Sequence, residues 1–109
     1  PLAAETYAEY VDPVIAGTKA LIEGAKANKV KKIIVCSSIF TVIAAKLPEG
    51  RPYDETDLAE IDMINGYTDS KVHEENLFME LANTSEIEVV ILNPGLIMGP
   101  SMIAFPNST

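Results

Sequence analysis

Tyr67 and Lys71 stand four residues apart in the stretch Gly66-Tyr67-Thr68-Asp69-Ser70-Lys71-Val72-His73-Glu74-Glu75. On a helix, residues at i and i+4 lie one above the other on the same face. A free phenol titrates near pH 10, too high for ready proton exchange at neutrality. An ammonium about 5 Å away, at an effective dielectric of about 20, favours the phenolate by about 3 kcal/mol. That is about two units on the pH scale, enough to make a tyrosine a useful general acid or base. A serine hydroxyl facing the pair could hold a carbonyl or alcohol oxygen. Charge developing on that oxygen during hydride transfer would then meet two hydrogen-bond donors. Ser38 is the candidate, with Ser37 as the alternative if the register differs by one. A plainer reading of Lys71 stands beside this one: a stem laid along apolar surface, or an i,i+4 pair with Glu75.

Only a fold can bring these residues together. Asp12-Pro13 reads as an N-cap followed by proline at the first helical position, and Val14, Ile15, Thr18, Leu21, Ile22 and Ala25 recur at helical spacing to about Ala27. Asn28-Lys29 ends that helix. The segment Lys31–Ser38 has a continuous apolar centre, Ile33-Ile34-Val35-Cys36, as expected of a strand buried on both faces. From Ile39 to Gly66 the chain reads mostly as loop, punctuated by Pro48, Gly50 and Pro52, with residues 53–57 as a solvated acidic turn. A second helix is predicted from about Gly66 to Ala82, its stripe Tyr67, Lys71, Glu74, Phe78 and Leu81 turned toward the sheet. Residues 86–92 form a second apolar strand, ended by Asn93-Pro94-Gly95, and the tail from Met98 shows no period.

Strand–helix–strand with two continuous apolar strands implies a parallel pair in an α/β fold. Two such strands leave edges and faces uncovered, so the 109 residues are expected to be the middle of a larger doubly wound, Rossmann-like domain. In open parallel sheets, ligands bind beyond the carboxyl ends of the strands. That rule selects Ser37-Ser38, Asn93-Pro94-Gly95 and the first turns of the second helix, which carry Tyr67 and Lys71.

Composition narrows the function classes. The apolar share of 48% suits a globular protein, and 16 acidic against 8 basic residues give a net charge of −8. An acidic surface opposes nucleic acid and anionic membrane as partners. The longest apolar run, Ile33 to Ala45, is too short to span a bilayer. Cys36 has no internal disulfide partner and is expected as a buried thiol in a reducing, cytoplasmic setting. The sequons at Asn83 and Asn107 are read as accidental, and His73 as partly exposed.

Ser37-Ser38, Tyr67-x-x-Ser70-Lys71 and the run Asn93-Pro94-Gly95-Leu96-Ile97-Met98-Gly99-Pro100 resemble the extended short-chain dehydrogenase/reductases. More narrowly, they resemble the branch of dihydroflavonol and cinnamoyl-CoA reductases. Gly17-Thr18, the Tyr53-Asp54-Glu55 turn and Glu75 fit the same pattern, which runs from about Asp12 to Pro100. The resemblance implies Ser38 as catalytic serine, Tyr67 as proton donor or acceptor, and Lys71 as its modulator and a partner of the nicotinamide ribose. It implies that Pro94, Gly95, Leu96 and Ile97 line the nicotinamide of NADP, or of NAD. The implied activity is reduction of a ketone or aldehyde, or oxidation of the alcohol.

Departures from the pattern shape the expectations further. The glycine-rich G-x-x-G-x-x-G segment is missing, so residues 1–109 are expected as a partial cofactor domain, inactive alone. Residues Ile39 to Ala44 lack the polar residue expected of a flavonoid pocket, and the cinnamoyl-CoA reductase signature near the tyrosine is absent. Sugar-nucleotide epimerases usually carry Tyr-Phe-Asn where this chain has Leu92-Asn93-Pro94. The rival readings are an epimerase or dehydratase, a hydroxysteroid dehydrogenase/isomerase, and a non-catalytic interaction fragment.

Overall fold

The computed structural model of the chain describes residues 6–45 and 50–100. Pro48, the sequon at Asn107 and the tail beyond Pro100 lie outside the described residues. The elements run α1 (Tyr7–Ala27), β1 (Lys32–Cys36), α2 (Phe40–Ile43), α3 (Gly66–Thr84) and β2 (Glu88–Leu92).

α1 begins earlier than its sequence suggests. Thr6 caps it: the Thr6 hydroxyl accepts from the Glu9 N–H at 3.3 Å, and the Glu9 carboxylate accepts from the Thr6 N–H at 3.2 Å. This reciprocal capping box contributes about 1 kcal/mol. Asp12 is therefore not the N-cap, and Pro13 lies inside the helix. Pro13 has no N–H to give the carbonyl one turn back. The cap and the buried Val11 hold the turns that precede it. The end falls where Asn28-Lys29 predicts. Lys29 adopts φ 54°, its N–H donates to the Lys26 carbonyl, and the Val30 N–H donates to the Ala25 carbonyl. These two bonds close a Schellman-type terminus.

β1 and β2 pair in parallel, with Lys32 opposite Glu88 and Cys36 opposite Leu92. Ile33, Val35, Val89 and Ile91 face a core made with Ile22 and Ala25 of α1, Phe78 and Leu81 of α3, and Ile87. Burying a side chain such as Phe78 or Leu81 contributes about 2–3 kcal/mol. Both long helices thus lie on one face of the sheet. On the opposite face the strands are uncovered within the described residues. Ile34 is 64% and Leu92 50% exposed, and Cys36 is exposed as well. Period-2 alternation sends Ile34 and Cys36 away from the helices, where the described residues provide no covering layer. Cys36, expected as a buried thiol, lies on this uncovered face and is exposed within the described residues.

The long loop contains the short α2, directly after Ser38, with Thr41 and Val42 buried. Ala59 donates its N–H to the Thr41 carbonyl at 2.7 Å and ties the loop's return to that turn. Residues 53–56 of the acidic turn are exposed, as expected, whereas the Asp57 side chain is 10% exposed and paired with Arg51, whose Nη2 lies 2.7 Å from its Oδ1. His73 is partly exposed.

Candidate active site

The carboxyl edge of the parallel pair is held together past the last strand residues. The Ser37 N–H donates to the Leu92 carbonyl at 2.8 Å, and the Ile39 N–H donates to the Pro94 carbonyl at 3.0 Å. The two strand ends therefore leave the sheet side by side, which brings Ser38 next to Asn93-Pro94. Asn93 strengthens this junction. Its Nδ2 lies 3.0 Å from the Ser38 carbonyl and 3.0 Å from Thr41 Oγ1, and 3.4 Å from both Glu75 carboxylate oxygens.

Ser38 is buried, and its hydroxyl accepts from the Phe40 N–H at 3.2 Å, capping the turn into α2. Ser37 is also buried, but its hydroxyl points elsewhere, donating to Glu75 Oε2 at 2.8 Å. The two adjacent serines thus have different local partners. One shapes the strand-to-helix turn, and the other joins β1 to α3.

α3 starts where the sequence predicts. Asn65 is its N-cap, accepting from the Thr68 N–H at 3.0 Å. Gly66 marks a close approach, since a Cβ there would sit 3.0 Å from Tyr10 Cβ of α1. Tyr67 is partly buried, and its ring meets that of Phe40 edge-on, with centroids 6.3 Å apart at 86°. Phe40 therefore links Tyr67 to the Ser38 turn. Lys71, one helical turn on, is also partly buried. Its Nζ lies 3.9 Å from Glu74 Oε2, with side chains 22% and 17% exposed. The i,i+4 alternative with Glu75 is corrected: Lys71 pairs at i+3, because Glu75 turns inward to Ser37 and Asn93. The buried face of α3 also differs from the predicted stripe. Thr68, Val72, Glu75, Phe78 and Leu81 form it, so Tyr67, Lys71 and Glu74 lie along its border.

Among the described residues, no hydrogen bond or ion pair joins Ser38, Tyr67 and Lys71 directly. They share an edge rather than a network. Beyond β2, Leu96, Ile97 and Met98 are 87%, 81% and 83% exposed, and no atom lies within 4 Å of where a Cβ on Gly95 would fall. Among the described residues, the site is an open ledge rather than an enclosed cavity. A cleft of about 360 Å³ between α1 and β1 is lined by Glu74 but not by Ser38, Tyr67 or Pro94.

Sequence reasoning selected Asn93 for its place and Glu75 for its fit to the family pattern, but not their hydrogen-bonding roles, and it gave no role to Thr41 or Asp69. Glu75 and Asp69 are buried, at 5% and 1% exposure. The available signal was an acid three residues before Phe78, on the side of the helix that must face the sheet.

Comparison with known proteins identifies a family. Residues 3–109 match an NAD-binding family described as "Male sterility protein". The chain is 32% identical over 109 residues to a dihydroflavonol 4-reductase of Solanum lycopersicum, covering 92% of this chain and 28% of the relative. It is 31% identical over 101 residues to cinnamoyl-CoA reductase 1 of Arabidopsis thaliana, covering 86% and 29%. A dihydroflavonol 4-reductase of Callistephus chinensis is 34% identical over 102 residues, covering 84% and 27%. The chain thus spans less than a third of the length of these relatives. No solved structure matches.

Proposed function

The chain belongs to this NAD-binding family, in the dihydroflavonol reductase- and cinnamoyl-CoA reductase-like branch of the extended short-chain dehydrogenase/reductases, and from that premise we propose that it carries the proton-transfer half of an NAD(P)-dependent carbonyl reductase. The observation that supports the proposal is the carboxyl edge of one parallel strand pair, where Ser38 abuts Asn93-Pro94 and Phe40, two residues on, packs against Tyr67. Open parallel sheets bind their ligands at that edge.

The residues present fit the nicotinamide end of a dinucleotide. Residues 95–98 offer an exposed apolar ribbon with an open glycine, against which a flat ring can lie. Lys71 offers an ammonium one turn above Tyr67 for a ribose hydroxyl. The cofactor, when bound, supplies the hydride. Ser38 and Tyr67 hold the carbonyl oxygen of the substrate, and Tyr67 gives that oxygen its proton as charge develops on it. Lys71 favours the phenolate that remains. NADPH is the expected cofactor, with NADH tested beside it, and the substrate is a small ketone or aldehyde. On this reading residues 1–109 are part of a dinucleotide-binding domain. Further sequence provides the glycine-rich turn and the layer over Ile34 and Leu92.

The test is Tyr67→Phe in the full-length protein, with NADPH consumption followed against a panel of aldehydes and ketones. Removing a general acid lowers kcat by roughly a hundredfold or more. Undiminished turnover would sink the assignment. Formation of epimerised sugar nucleotides without net NADPH consumption would redirect it to the epimerases.

A further inference from the structure

Tyr67 lies in the first turn of α3, where backbone N–H groups have no acceptor within the helix. Such turns fray unless something outside the helix holds them. Here a buried acid does so. Asp69, 1% exposed, accepts from the Met63 N–H at 2.9 Å, the Asp62 N–H at 3.3 Å and the Tyr7 hydroxyl at 2.5 Å. The next acid continues the pattern, as Asp62 accepts from the Ile64 N–H at 2.8 Å and the Asn65 N–H at 3.3 Å. Asn65 then accepts from Thr68. Every N–H from Asp62 to Asn65 therefore ends on a carboxylate, and the chain of bonds runs unbroken from α1 into the turn that bears Tyr67.

Two further observations show that this arrangement is imposed rather than incidental. Met63 is held at φ 63°, a left-handed conformation that residues with a Cβ rarely adopt. Observed strain of this kind concentrates at functional segments, where surrounding structure over-determines it. In addition, no ion pair among the described residues involves Asp69. Its charge is met by the phenol, by backbone N–H groups and by the N-terminal end of α3. Asp69 lies two residues from Tyr67, about 200° round the helix, so it grips the turn from behind.

We propose that Asp69 is a positioning residue for the reaction assigned to Tyr67: by binding Tyr7 of α1 and the N–H groups of Asp62 and Met63, it sets the depth and rotation at which the first turn of α3 presents Tyr67 and Lys71. This rests on the reductase reading above.

The test uses the full-length protein with Asp69→Asn, which keeps the volume but places an amide N–H where one acceptor oxygen stood. Tyr7→Phe, which removes a single donor, is the milder second variant. Hydrogen exchange at the Asp62 and Met63 amides rises about tenfold in Asp69→Asn, while exchange in β1 and β2 is unchanged. With ring-labelled tyrosine, the Tyr67 resonance moves as its contact with Phe40 alters, and Tyr53 stays as an internal control. With NADPH and benzaldehyde as probes, kcat falls about tenfold and KM for NADPH rises with it, because Lys71 moves with Tyr67. Tyr7→Phe moves each readout the same way by less. An unmoved Tyr67 resonance, or a uniform rise in exchange across the whole domain, overturns the proposal. Loss of the reductase assignment through Tyr67→Phe is a separate result, because the Tyr67 resonance reports position whether or not turnover occurs.

Discussion

α3 carries two buried carboxylates, Asp69 and Glu75, and they are used in opposite ways. Asp69 gathers backbone N–H groups six and seven residues behind it, together with the Tyr7 hydroxyl. Glu75 gathers side chains from elsewhere in the fold: the Ser37 hydroxyl from the end of β1 and, at longer range, the Asn93 amide from the end of β2. Neither has an ion-pair partner among the described residues. One acid fixes where the helix begins, and the other fixes the sheet edge against it. The helix therefore serves as a spine, and Tyr67 and Lys71 are placed relative to the strands only if both attachments hold. Hydrogen bonds, rather than opposite charges, do the placing.

The largest expected effect comes from breaking the sheet-edge attachment. Glu75→Leu leaves the Ser37 hydroxyl without its acceptor and weakens the Asn93 junction, at a cost of roughly 2–4 kcal/mol. Glu75→Gln keeps one acceptor oxygen and costs about 1 kcal/mol. Urea unfolding of the full-length protein reads both, as a fall in midpoint at constant slope. Equal losses for the two variants would mean that the carboxylate's charge, rather than its acceptor oxygens, holds the sheet edge.

The α1 attachment is distinguished by its pH range. The Tyr7 hydroxyl is pushed up to about 12, first by its hydrogen bond to Asp69, then by partial burial and by the charges of Asp69 and Asp62. A phenol raised in the folded state stabilises that state fully below its unfolded value, about 10. The contribution is lost as pH rises through the folded value. The stability difference between the native protein and Tyr7→Phe should therefore be flat to about pH 9 and close between about pH 10 and 12. The corresponding difference for Glu75→Gln should not follow that course, because no phenol donates to Glu75. A Tyr7→Phe gap still open at the upper end of this range would show that the ring, not the hydroxyl, holds α1 to α3.

These two attachments also mark where the sequence could be read and where it could not. Continuous apolar runs located both strands, and helical spacing located α3, because each signal is local and periodic. The same logic placed Tyr67, Lys71, Ser38 and Pro94 at one sheet edge from topology alone. It failed where local and tertiary preferences diverge. Asp12-Pro13 looks like a helix start, yet Thr6 and Glu9 cap the helix a turn and a half earlier. Cys36 sits in an apolar run, yet its pleat position turns it outward. Glu75 reads as a partner for Lys71 and Asp69 carries no signal of its own, because their donors are invisible until the strand ends and the Met63 loop are in place. A buried acid is recognised by its partners, and those partners are distant in sequence or lie in irregular loop.

The smallest expected effect tests whether charge itself has any share in the comparison. Lys32 and Glu88 stand opposite each other across the strand pair, Nζ to Oε1 at 3.5 Å, with side chains 52% and 66% exposed. This pair has the opposite charges that Asp69 and Glu75 lack, but it has them in water. Exposed pairs contribute a few tenths of a kcal/mol, which salt screens further. Glu88→Gln should therefore shift the urea midpoint less than Glu75→Gln does, although both substitutions remove one carboxylate charge of the same kind. Raising salt should erase the Glu88 effect and leave the Glu75 effect in place. A Glu88→Gln loss as large as that of Glu75→Gln would reverse the argument. Attraction between charges would then outweigh satisfied hydrogen bonds in holding this sheet edge to its helix.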